Sequence, residues 1–291
     1  MRWRKGRRST NIDDRRGNRV LAGAPRGTKL GGGVIILAVV AGLLLGQNPI
    51  EILSTLSGGS QIQSDPPRQA TRTNSKADNE VADFISVILA DTEDTWSSLF
   101  AKAGERYQPP KLVLYSDMVQ SACGMNSAAA GPFYCPGDYK VYFDLSFLHE
   151  LQRFGAHGDF AVAYVIAHEV GHHIQNLVGT SDQVRQLQMR SNKRDANALS
   201  VLLELQADCY AGVWAHHGHK QRNILEKGDI EEGLQAAASV GDDRMLRMAG
   251  RQVHPDAFTH GSAEQRSKWF HTGLKNGDLK GCDTFSQVAR R

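Results

Sequence analysis

Residues 159–179 read DFAVAYVIAHEVGHHIQNLVG. Ala161, Val162, Val165, Ile166, Val170 and Ile174 recur at three- and four-residue steps, the period of a helix with one apolar face. Asp159 or Gly158 can open that helix and Gly179 can close it. Inside it lies His168-Glu169-Val170-Gly171-His172, an H-E-x-x-H pattern. Residues four apart share a helix face, about 6 Å along the axis, so two imidazoles can converge on one metal ion. Glu169 sits about 100° round from His168, beside the metal rather than on it. There a carboxylate can take the proton of an activated water. Tetrahedral catalytic zinc takes three protein ligands and one water, so a third ligand is expected downstream.

Glu204-Leu205-Gln206-Ala207-Asp208 supplies the best candidate. Glu204 and Asp208 share a face of a second long helix, expected to run from Thr180 or Ser181 to Ala215. Paired antiparallel through the turn at Gly179, that helix returns Glu204 toward His168 and His172. The span between them requires it to bend or overshoot. Asp208 would hold an imidazole N–H of a ligand histidine, which fixes the tautomer and raises ligand basicity. His173 points away from His172 and is expected as a supporting or surface residue. His216, His217 and His219 read as a solvated helix end, and Cys209 faces elsewhere. A developing oxyanion needs a further donor. His260, just before a helix capped by Ser262 with Gln265, is the first candidate, with His254 and Tyr210 as alternatives.

Outward from this core, Val81 to Phe100 shows helical periodicity, ended by Gly104 and Pro109-Pro110. Lys111–Tyr115 and Tyr139–Asp144 read as short strands. The second could be an edge above the metal or an ordinary core strand. Several helices beside a small sheet indicate one mostly helical α+β domain over residues 80–291. Four cysteines without a C-x-x-C pattern suit an exported domain, with Cys123–Cys135 and Cys209–Cys282 as the expected disulfides.

The 291-residue chain has a net charge of +3, but ten Lys and Arg crowd residues 1–29 against Asp13 and Asp14. That +8 segment leaves the rest acidic, at −5. An acidic body argues against nucleic acid as a partner. A mean hydropathy of −0.39 excludes a polytopic membrane protein. Leu30–Gly46 is uncharged and apolar, and with its extension to Ile50 (residues 30–50) is expected to be a single transmembrane helix. Basic residues before it place residues 1–29 as a cytoplasmic tail and the remaining chain outside the inner membrane. Residues 51–79, rich in Ser, Gly, Pro, Gln and Thr, read as a flexible linker.

The stretches HEVGHHIQ (168–175), ELQADCYAGVW (204–214) and HGSAEQRSKWF (260–270) resemble the bacterial neutral zinc metallopeptidase family, as does the opening MRWRKGRRSTNIDDRRG. H-E-x-x-H with a downstream E-x-x-x-D is similar to the wider gluzincin class. The resemblance implies a zincin-like fold with His168, His172 and Glu204 holding one Zn²⁺ per chain and Glu169 as catalytic base. The expected function is a membrane-anchored zinc endopeptidase acting on peptide or protein substrates outside the cytoplasm. Alternatives are a binding or chaperone-like module on the same fold, or an amidase acting on cell-wall crosslinks.

Overall fold

The computed structural model describes residues 1–17, 75–128 and 131–287. The expected anchor (30–50) and the linker up to residue 74 lie outside the described residues. Among those described, no helix is long and apolar enough to cross a membrane.

The protein is mostly helical α+β with small sheets. Helix α1 (Lys76–Lys102) starts at a capping box of Ser75 and Asp78, so the last residues assigned to the linker already belong to the folded body. Strands β2 (Lys111–Tyr115) and β6 (Lys140–Asp144) pair in parallel, and β5 (Phe133–Cys135) pairs antiparallel with β6. Hairpin β3–β4 (Met118–Ser121, Gly124–Ser127) stands apart as a second sheet. The strand expected over 139–144 therefore lies inside the main sheet, and β5 takes the edge.

The order of that sheet is β1-β2-β6-β5, and β1 (Ile12–Asp14) corrects the sequence reading. Residues 1–17, expected as the start of a separate basic tail, cluster into the same unit as the domain. β1 runs parallel to β2 with Asp13 opposite Val113. The basic residues are matched by acids on α1: Arg4 to Glu80, Arg8 to Asp83, and Arg7 to Glu93 and Asp94. Trp3 packs edge-on against Phe84 at 5.2 Å. Arg16 donates to the Asp78 carbonyl at 2.8 Å. Among the described residues, Arg2, Arg4, Arg7, Arg8, Arg15 and Arg16 of the basic segment each pair with a carboxylate of the protein itself.

Behind the sheet, α1 buries Ile85, Ile88, Leu89 and Trp96 against α3 (Asp159–Leu177) and α5 (Lys193–Arg222). Burying each aliphatic side chain contributes about 1.5–3 kcal/mol. The single helix expected from Thr180 to Ala215 is two. α4 (Thr180–Gln188) ends, and α5 begins afresh with Asn192 accepting from the Asp195 N–H. That break lets α5 re-aim and removes the overshoot. Short helices α2 (Phe147–Arg153), α6 (Asp229–Ser239) and α7 (Asp242–Met248) precede α8 (Ala263–Asn276), which opens at the expected Ser262–Gln265 box.

Two close approaches set the site. A Cβ on Gly171 would lie 2.9 Å from the Ala207 carbonyl and 3.1 Å from its Cα. Glycine between the two histidines and alanine within ELQAD therefore let α3 and α5 meet backbone to backbone. On the far side of α5, a Cβ on Gly273 would lie 1.9 Å from the Cys209 carbonyl. That contact draws α8 onto α5. Both expected disulfides, Cys123–Cys135 and Cys209–Cys282, are present, and among the described residues no cysteine is free.

Candidate metal centre and its cleft

His168 and His172 sit one turn apart on α3, and Glu204 faces them from α5. Nε2 of His168 lies 3.2 Å from one Glu204 oxygen, and Nε2 of His172 lies 3.4 Å from the other. One ligand atom from each of the three residues falls within 4.8 Å of the other two. This is the donor set expected from the sequence. Its nitrogen–oxygen composition and open side fit zinc in a catalytic rather than a closed site.

The far nitrogens are also occupied. Nδ1 of His168 meets Asp208 at 2.8 Å, as expected of Asp208, and Nδ1 of His172 meets Oε1 of Gln175 at 2.9 Å. Asp208 is itself enclosed. Arg266 on α8 donates to both its oxygens at 2.9 Å, and the Tyr164 hydroxyl donates to it from one turn before His168. Arg266 Nη2 lies 4.0 Å from Glu204.

The electrostatics follow from this packing. Burial opposes the imidazolium of His168, but Asp208 and Glu204 outweigh it and lift the group to about 10 in the metal-free protein. His172 is raised as well: burial opposes its charge, and Glu204 overcomes that. Burial also opposes the charge on Glu204, yet the two histidines hold it well below the usual carboxylate range. Asp208 is likewise held low against its burial, chiefly by Arg266. Burial pushes Glu169 up, against the lowering pull of His168 and His172.

A cleft of about 500 Å³ opens over the site, with His168, Glu169, His172 and Glu204 in its floor. Phe133 and Tyr134 of β5, Phe147, Val165, Leu203 and Val240 form apolar walls. His260 lines the cleft too, with Nδ1 3.2 Å from Asp242 at the start of α7. The bond to Asp242 raises His260 against partial desolvation at the cleft rim. Neither His254 nor Tyr210 lines the cleft.

His173 is buried. Its Nε2 meets the Gln108 carbonyl at 2.7 Å and its Nδ1 meets the Tyr134 hydroxyl at 3.1 Å. Burial lowers it to about 4, so it is neutral and joins α3 to β5. His216 and His217 bond to the Leu274 and Gly277 carbonyls and take no part.

Sequence reasoning missed Tyr164, Gln175, Asp242 and Arg266. Tyr164 lies one turn before His168, on the same face, and Gln175 lies three residues after His172, so the helical period already pointed to both. Arg266 is a cation three and four residues before the core aromatics Trp269 and Phe270, which signals a buried charge with a partner. Asp242 gave no signal.

Two imidazoles, a carboxylate and a neighbouring buried glutamate in an open cleft define a zinc-peptidase type of centre. The chain belongs to the family described as putative neutral zinc metallopeptidase, whose model matches residues 1–285. It is 46% identical over 295 residues to the uncharacterized protein YpfJ of Escherichia coli K12, covering 99% of each chain. It is 38% identical over 263 residues to the uncharacterized protein Rv2575 of Mycobacterium tuberculosis, covering 87% of this chain and 85% of that one. No solved structure matches.

Proposed function

We propose that the protein is a zinc-dependent endopeptidase of zincin-like architecture, with one Zn²⁺ held by His168, His172 and Glu204. The observation that carries the reading is the convergence of these three ligand atoms under an open cleft that also contains Glu169. Zinc bound there supplies Lewis acidity, activating water and polarising a carbonyl. Glu169 accepts a proton from the attacking water and delivers it to the leaving amine. His260, oriented by Asp242, donates to the developing oxyanion. β5 is the sheet edge beside the cleft, so its backbone can pair with an extended peptide. The apolar walls suit apolar side chains around the scissile bond. Glu169 in the cleft floor speaks against a purely binding module.

Glu169→Gln should keep stoichiometric zinc and lose hydrolysis of casein or a quenched peptide. Retained turnover removes Glu169 from the mechanism. Hydrolysis of cell-wall crosslinks but not peptides would favour the amidase.

The two disulfides support a place in the oxidising cell envelope, and residues 30–50 supply the apolar run for contact with the inner membrane. β1 pairs with β2 in one sheet, which supports residues 1–17 and 75–287 sharing one side of that membrane. This reading differs from the expected arrangement of a cytoplasmic N-terminus with the domain outside. Protease accessibility of tags at each end of the chain tests it, and tags protected on opposite sides overturn it.

A further inference from the structure

A histidine that ligates through Nε2 must carry its proton on Nδ1. For His168 the Asp208 carboxylate, which can only accept, enforces this. His172 has no carboxylate at Nδ1. Its neighbour is the amide of Gln175, and an amide can be turned round. Reversed, it would present NH₂ to Nδ1 and impose the tautomer that cannot ligate through Nε2.

We propose that Gln175 is a positioning residue that sets the ligating tautomer of His172, with its direction locked by two backbone carbonyls. Nε2 of Gln175 donates to the Leu203 carbonyl at 2.7 Å, directly before Glu204. A carbonyl only accepts, so the NH₂ end must face it and Oε1 must face His172. Nε2 of Gln175 also lies 3.1 Å from Oε1 of Gln206. Gln206 is oriented by the same logic, since its Nε2 donates to the Cys282 carbonyl at 3.1 Å. Gln175 is fully buried and Gln206 is 7% exposed, so solvent does not compete. Every donor in the chain points one way, from His172 through Gln175 and Gln206 to Cys282. The relay joins the second ligand to the helix that carries the third and to the segment tied down by the Cys209–Cys282 disulfide.

This inference rests on the metal reading above, and its test separates the two. Cobalt(II) is titrated into the metal-free full-length protein, with affinity read by competition against a chromophoric chelator and geometry read from the visible absorption. If the parent binds no cobalt, the metal reading falls and the relay with it. If it binds one equivalent, Gln175→Met should weaken binding by roughly 10–100-fold and change the spectrum. Gln175→Glu, which keeps an acceptor at Nδ1 and, protonated on its other oxygen, a donor to the Leu203 carbonyl, should recover most of the affinity. Gln206→Met, which removes only the outer lock, should show a smaller loss of the same kind and serves if Gln175→Met fails to fold. Parental affinity and spectrum in a folded Gln175→Met, or in Gln206→Met where it stands in, would overturn the proposal.

Discussion

The two metal-facing histidines lie one turn apart on one helix yet are braced by opposite chemistry. His168 leans on a charged assembly of Asp208, Arg266 and Tyr164, closed by bonds from α3, α5 and α8. His172 leans on neutral amides that end on backbone carbonyls. A carboxylate brace raises ligand basicity but leaves a buried charge that needs its own partner. An amide brace leaves no charge and depends on being held the right way round.

The largest contrast should come from breaking each brace in turn. Asp208→Ala strands Arg266 in the interior and should cost about 3–5 kcal/mol. Gln175→Met removes the acceptor of the His172 Nδ1–H and the donor to the Leu203 carbonyl and Gln206 Oε1, without stranding a buried guanidinium, and should cost about 1–3 kcal/mol. Urea unfolding of both metal-free variants measures the difference, and equal losses would remove the distinction. Gly171→Ala should damage both histidines together. Its Cβ would lie 2.9 Å from the Ala207 carbonyl, so α3 and α5 must separate. We expect a loss of about 1–3 kcal/mol with weaker metal binding. A metal-binding variant of parental stability would show that the helices can yield.

The pH dependence sharpens the contrast with a smaller step. Without metal, His168 is raised from its ordinary 6.5 to about 10. The stability it contributes to the metal-free protein is fully present below about pH 6.5 and lost as pH rises through about 10. Metal needs the neutral ring, so loading releases a proton. Apparent affinity should then rise about tenfold, or 1.4 kcal/mol, per pH unit for each proton released across that window. Chelator competition at several pH values reads the slope. A flat profile would show that Asp208 and Glu204 do not hold the ring charged.

Much of the centre was legible because its spacing is local. His168 and His172, or Glu204 and Asp208, share a face by the geometry of any α-helix, and the capping box at Ser262 is readable within four residues. The disulfide pairs were also anticipated. β1, β3, β4 and β5 were not, since strands of three or four residues carry too little periodicity to be seen without their partners. The pairing of the basic opening segment was hidden for a related reason. Its arginines read as lipid-facing until α1, more than seventy residues on, supplies Glu80, Asp83, Glu93 and Asp94.

The amino-acid sequence alone determined which two histidines share a face, which carboxylates share the next, and that Glu169 lies beside the first pair, because an α-helix converts a four-residue interval into a shared face. Only the tertiary structure decided which side chains brace each histidine, which strand borders the cleft, and that the first residues complete the sheet. Those outcomes depend on backbones meeting at Gly171 and Gly273 and on charges finding partners far along the chain, and neither is written in any local interval.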